Sequence, residues 1–244
     1  MSILVIADHN NTRLSGDTLN TIAAARKISL KQNRVKIHVL VAGLGCKGVA
    51  EAMAKVPAVD RILLADLPAY AHQLPENLAP LIAQLSRGYS HVLAPANAHG
   101  KNVLPRVAAL LDVDQISEII KVNDADTFQR AIYSGQAIAT VQSCAPIKVM
   151  TIHTASFAPV ACKGGRARID HIGASCNTGL SRVIADAPTA TEIEAKAQLR
   201  LLDHGTGLRA KGTRPVVRLH RRPTTLSSEC YSNPTYQRLH LQSG

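Results

Sequence analysis

Strand-length apolar runs alternate with helix-length amphipathic segments through the first 111 residues, and nothing else in the sequence restricts the fold so tightly. Residues 3–7, 35–42, 61–65 and 89–94 are short runs rich in Val, Ile and Leu, the composition of strands buried on both faces. Four helical patterns separate and follow them. In the first, Ser15-Gly16-Asp17 supplies a cap and a first-turn acid, and Leu19, Ile22, Ala23 and Ile28 fall near helical spacing. The others cover 49–56, then 76–85 with Pro75 near its start, then 102–111 with Asn102 as cap and Pro105 in the first turn. Short connections between such elements predict a parallel sheet covered on both faces, with right-handed crossovers.

After residue 111 the rhythm changes. Residues 116–122, 128–133, 136–142 and 147–154 all read as strands, with a glycine turn at Tyr133-Ser134-Gly135-Gln136. The expected fold class is therefore α/β: a doubly wound, mostly parallel, Rossmann-like sheet with an antiparallel β extension. Residues 161–178 are rich in Gly, Ala and Ser without a period and read as loop or linker. Residues 192–202 read as a short helix or a strand entry. Beyond Leu208 the chain is basic, Pro-containing and poor in large apolar residues. It is expected to be a disordered basic C-terminal tail, because it buries too little surface to offset its ordering entropy.

Composition narrows the class further. Apolar residues make up 46% of the chain, and no run approaches the ~20 residues that cross a bilayer, so a soluble protein that does not span a membrane is expected. Five scattered cysteines, none in a C-x-x-C pair, read as structural thiols in a reducing compartment, with no zinc site. The net charge of +11 owes most to residues after 160, which predicts weak, salt-sensitive attraction to polyanions and no specific nucleic-acid function. The N-terminal MSILVIAD enters a strand directly, without a leader ahead of it. The bacterial cytoplasm is the expected compartment, with the mitochondrial matrix as the alternative.

Two stretches invite a ligand. In VLVAGLGCKGVAEAMAKV, Gly43, Gly45 and Gly48 stand as G-x-G-x-x-G, and Asp66 follows about twenty residues on, the written form of a dinucleotide fingerprint. The motif follows the second strand rather than the first, and three glycines in a βα loop arise without any ligand, so the residues argue against a cofactor there. The second stretch, 95–106, lies where a strand feeds a helix. Lys101 and Arg106 add charge that suits an anion contact or an interface, or simply a solvated helix face. No P-loop, no G-x-S-x-G elbow and no histidine pair at helical spacing occurs, so neither catalytic nor metal residues are expected.

Six stretches carry a resemblance: ILVIADHN, VLVAG at 39–43, RILLAD at 61–66, YSHVLAPANAHGKNVLPRVAALLDV at 89–113, QISEIIKV at 115–122 and DTFQRAIYSGQAIATVQS at 126–143. Over residues 1–160 the chain resembles the N-terminal domain of the electron transfer flavoprotein α subunit. The resemblance implies an electron carrier rather than an enzyme, paired with a β subunit that holds a structural AMP. It implies electrons received from flavoprotein dehydrogenases and passed to a membrane-bound quinone oxidoreductase, through an FAD held mainly by the C-terminal domain of α.

By the same resemblance the Gly43–Gly48 loop is not the flavin site. The family's flavin domain opens on Ser-Gly-Gly-Arg-Gly-Leu, and Gly205, Gly207 and Leu208 match it, while Asp203, His204 and Thr206 depart from it. The Ser-Arg turn, the Gly-Gln-Thr-Gly loop and the Asn-Lys-Asp segment of the family do not follow. The implied organisation is a family-type domain over 1–160, a linker over 161–198, and a remnant or divergent tail over 199–244 in place of the FAD domain. The implied protein is a truncated or frame-disrupted α subunit impaired in FAD binding. Two rivals stand beside it: a module holding AMP or ATP at the strand ends near Asp8, Gly43 and Lys101, and a non-functional scaffold that only pairs with β.

Overall fold

Nine strands hydrogen-bond into one sheet in the computed structural model, which describes residues 2–184. The expectations for 192–202, for the tail beyond 208 and for Gly205, Gly207 and Leu208 lie outside the described residues. Along the chain run β1 (Ser2–Ile6), α1 (Gly16–Lys31), β2 (Lys36–Gly43), α2 (Lys47–Ala54), β3 (Arg61–Asp66), α3 (Pro75–Ser86), β4 (His91–Pro95) and α4 (Ala98–Leu111). There follow β5 (Gln115–Val122), β6 (Thr127–Ile132), β7 (Ala137–Gln142), β8 (Lys148–Ile152) and β9 (Arg168–His171).

The strand order is β7-β6-β5-β8-β4-β1-β2-β3-β9. Every neighbouring pair from β5 to β9 is parallel, and β6 and β7 close the far end as an antiparallel extension. The two-residue period of the strands sorts their side chains between two cores. Ile3, Val5, Val39 and Val41 pack with Ile22, Ile28, Val49 and Met53 of α1 and α2. Leu4, Ile6, Leu40 and Leu63 pack with Leu78, Ile82, Leu104 and Val107 of α3 and α4. Both faces are covered, which is why β1 to β4 read as unbroken apolar runs rather than alternating ones.

Three details differ from the sequence reading. Helix α4 starts a turn earlier: Asn97 leaves β4 in extended conformation and its side chain accepts from the Gly100 N–H at 2.9 Å, so Asn97 is the cap and Asn102 is not. Pro105 consequently lies inside the helix rather than in its first turn. Residues 168–171, read as loop, form β9 against β3, with register Ile62↔Ile169 and Leu63↔Asp170. Four residues are too few to show a period, and the strand exists because β3 offers its open edge and Asp170 is clasped by Arg61 and Arg168. The sheet therefore continues past residue 160.

Strand β5 carries a bulge. Its register to β8 shifts between Ile116 and Ile119 and its register to β6 between Ile119 and Lys121; Glu118, in the first interval, adopts φ 56° while its N–H donates to Thr151 Oγ1 at 2.9 Å. Left-handed backbone at a glutamate is strained. Here it turns the carboxylate toward Lys101 at the start of α4.

Candidate functional site

The sheet order places β1 between β4 and β2. Beyond the carboxyl ends of β1 and β4 the chain leaves toward opposite faces, into α1 and α4, and such a switch point is where open α/β sheets hold ligands. A crevice of about 350 Å³ lies there, walled by Asp8, His9, Asn11, His72, Gln73 and His99 among others. Among the described residues its wall is mostly amide and imidazole, with no Lys or Arg side chain. His9 is buried; its Nδ1 accepts from the Asn11 N–H at 3.0 Å, which leaves the proton on Nε2, an atom without a partner among the described residues. Burial lowers the pKa values of His9 and His99, with Asp8 opposing in both cases. The crevice accordingly presents neutral donors and acceptors beside one aspartate, which suits a hydrogen-bonding group better than a phosphate.

The G-x-G-x-x-G loop has spent its amides internally. The Gly45 N–H donates to Asp66 Oδ1 at 2.6 Å, and the Leu44 N–H to Asn11 Oδ1 at 3.4 Å. In a dinucleotide site the acid would take a ribose hydroxyl and the loop amides a pyrophosphate; here each satisfies the other. Gly43 is small for the same reason: a methyl group on its Cα would overlap Asn11 Oδ1. Cys46 then enters α2 with its thiol pushed up to about 11 by burial and by Asp66, so it remains protonated. These residues do not fit an FAD diphosphate.

A strap crosses the carboxyl edge of the sheet. After β9 the Ile172 N–H donates to Leu64 O at 2.8 Å. The fully buried Tyr70 hydroxyl donates to Ala174 O at 3.0 Å and accepts from the Cys176 N–H at 3.0 Å. Asn77, at the start of α3, accepts from both the N–H and the hydroxyl of Thr178 at 3.0 and 3.1 Å. Ser181 donates to Glu76 at 3.0 Å, and Val183 ends as part of the crevice wall. Sequence reasoning missed Tyr70, Asn77 and Asn11, since each works on a partner far away in the chain; an aromatic and two amides beside strand ends were the only local signal. Tyr70→Phe is expected to cost about 1–3 kcal/mol, because it leaves one amide and one carbonyl unpartnered. Faster hydrogen exchange at Cys176 than at the β1 amides would register the loss, and unchanged exchange would show that the hydroxyl does not hold the strap.

Lys101 and Arg106 do not meet at one point. Lys101 pairs with Glu118 of β5, and Arg106 Nη2 lies 3.0 Å from Glu76 Oε1 of α3. The hydrogen bond from Lys101 is the first cause of the lowered Glu118 pKa, while Glu76 is lowered first by its own backbone N–H and then by Ser181. Gly205, Gly207 and Leu208 lie outside the described residues. Among the described residues no group of three His, Cys, Asp or Glu side chains gathers to hold a metal ion. No helix among them is long and apolar enough to cross a membrane.

Residues 3–175 match the electron transfer flavoprotein domain. An electron transfer flavoprotein subunit alpha of Pseudomonas aeruginosa is 57% identical over 186 residues, covering 76% of this chain and 59% of the relative. The mitochondrial subunit alpha of Dictyostelium discoideum is 47% identical over 173 residues, 68% of this chain and 48% of that protein. The subunit alpha of Paracoccus denitrificans is 38% identical over 219 residues, 89% of this chain and 69% of the relative. Against the first two relatives the match spans only 59% and 48% of their length.

Proposed function

We propose a function from one premise: the chain belongs to the electron transfer flavoprotein family and is of its α-subunit type. Its work is electron transfer rather than the making or breaking of bonds in a substrate. The observation that carries this is the family match over residues 3–175, which takes in all nine strands apart from Ser2, the first residue of β1. In the proposed assembly a β subunit with its AMP completes the carrier, flavoprotein dehydrogenases supply electrons and a quinone oxidoreductase accepts them. The exposed Lys101 and Arg106 rims of α4 are proposed as contacts to the partner subunit. The bacterial cytoplasm is the proposed compartment, in line with the relative at 57% identity.

FAD is the proposed redox group, seated not at the Gly43–Gly48 loop but at the segment that includes Gly205, Gly207 and Leu208. Thr206 lacks the positive charge of the family's Arg, and Asp203 adds a negative one, so flavin affinity is proposed to be weak. The visible spectrum of the full chain, purified alone and with a β-type partner, tests this. Flavin well below one per chain is expected, and Thr206→Arg should raise it. Stoichiometric flavin bands would sink the weak-affinity reading. Failure to co-purify with any β-type partner would sink the carrier reading itself. Saturable ATP binding in calorimetry without flavin would favour the rival nucleotide module.

A further inference from the structure

Charges that look mixed along the sequence are sorted in space. The outward stripe of α1 is Arg26, Lys27, Leu30, Lys31 and, just past its end, Arg34, at spacings of three and four that put them on one face. Their inward counterparts Ile22, Ala25, Ile28 and Ser29 are buried. Leu30 stands 56% exposed in the middle of the cations. On the same layer Lys55 caps the end of α2, and Arg166 follows Gly165, whose N–H donates to Lys55 O at 2.7 Å. Lys27 sits 4.9 Å over the Phe157 ring, and Arg26, Lys31 and Arg34 have no ion-pair partner among the described residues. Asp60 shares a hollow of about 340 Å³ with Arg26 and Arg34, and one of its oxygens is committed to the Ile37 N–H at 2.8 Å. The opposite layer is balanced: Arg106 is paired with Glu76, and Asp112 and Asp114 follow α4.

We propose that the α1 face is a docking surface for an anionic lipid headgroup layer. Broad, unpaired cations on a helical layer with a single protruding leucine are the pattern of interfacial attachment, electrostatic attraction plus a shallow apolar insertion. An acidic protein partner is the less fitting occupant, because a stable protein interface centres on buried, well-packed anchors, and the cations of this face are all exposed. The described tyrosines and phenylalanines put no exposed ring on this layer: Tyr70, Phe128 and Phe157 are buried, Tyr89 is half-buried against the opposite core, and the exposed Tyr133 follows β6 in the extension.

The test is co-sedimentation of the full chain with phosphatidylcholine vesicles that contain or lack phosphatidylglycerol. Binding only to the anionic vesicles is expected, weakening as salt rises. The combined Arg26→Glu, Lys31→Glu, Arg34→Glu variant should bind about tenfold less or weaker still. Leu30→Ser should lower vesicle binding while leaving retention on heparin unchanged. Replacing Arg218, Arg221 and Arg222 by Gln should leave most of the vesicle binding in place. The proposal is overturned if the α1 variant sediments like wild type, if the Gln variant alone abolishes binding, if Leu30→Ser lowers heparin and vesicle binding equally, or if neither vesicle binds. Circular dichroism of each variant, unchanged from wild type, confirms that a loss of binding is not a loss of fold.

Discussion

Gly100→Ala lowers the stability of the chain by about 3 kcal/mol, read as a shift of the urea midpoint at unchanged slope. The position is the third residue of α4, in ordinary helical conformation, where alanine normally improves a helix. Here the reason for glycine is distance. A methyl group would overlap the Pro95 carbonyl oxygen and lie 3.3 Å from the Ala94 Cβ. The obstacle is backbone at the end of β4, so no side chain can rotate out of the way. Moving α4 outward would break the Asn97 cap and the packing of Val103, Leu104 and Val107 together. Gly48→Ala is the control: it lies in α2 with no atom within 4 Å of the added methyl, and should be neutral or stabilising by up to about 1 kcal/mol. A Gly100→Ala variant as stable as wild type would show that the β4–α4 junction has slack.

Acidification from pH 7 toward 4 removes about 3 kcal/mol through His91 alone. The ring is fully buried in β4; Nε2 donates to Ala125 O at 2.7 Å and Nδ1 lies 2.9 Å from Ser90 Oγ, so the neutral form is satisfied on both sides. Burial is the main reason its pKa falls from 6.5 to about 4, with Lys148 adding to the drop and the Ala125 carbonyl opposing it. Between those two values the unfolded chain binds a proton that the folded chain refuses, so stability rises with pH across that window. The contribution is complete above about 6.5 and is lost as the pH falls through about 4. Urea midpoints at half-unit pH intervals should slope upward over this range, and His91→Gln should flatten part of that slope. A slope identical in the variant would assign the acid sensitivity to other groups, with His9, His38 and His99 next in line because burial lowers each of them.

Both expectations depend on the β4–α4 junction and the β4–β8 pair, and the two were unequally visible in the sequence. The strand stood out as an apolar run at 89–94, ended by Pro95, and the structure places it at His91–Pro95. The helix start did not, because Asn97 and Asn102 are equally good caps and only the position of Pro95 O against Gly100 decides between them. The same limit applies to β9. Ile169 gives a strand only one inward apolar side chain, and pairing with β3 does the rest.

The sequence by itself determined the order of strands and helices through residue 111, the antiparallel turn at 133–136 and the family, because periodicity and local motif are written within a dozen neighbouring residues. Only the tertiary structure decided what the strand ends do. It filled the G-x-G-x-x-G amides with Asn11 and Asp66 and tied the strap to Tyr70 and Asn77. Those contacts join residues from 21 to 106 positions apart, and parallel crossovers bring such residues together by an amount that no local pattern encodes.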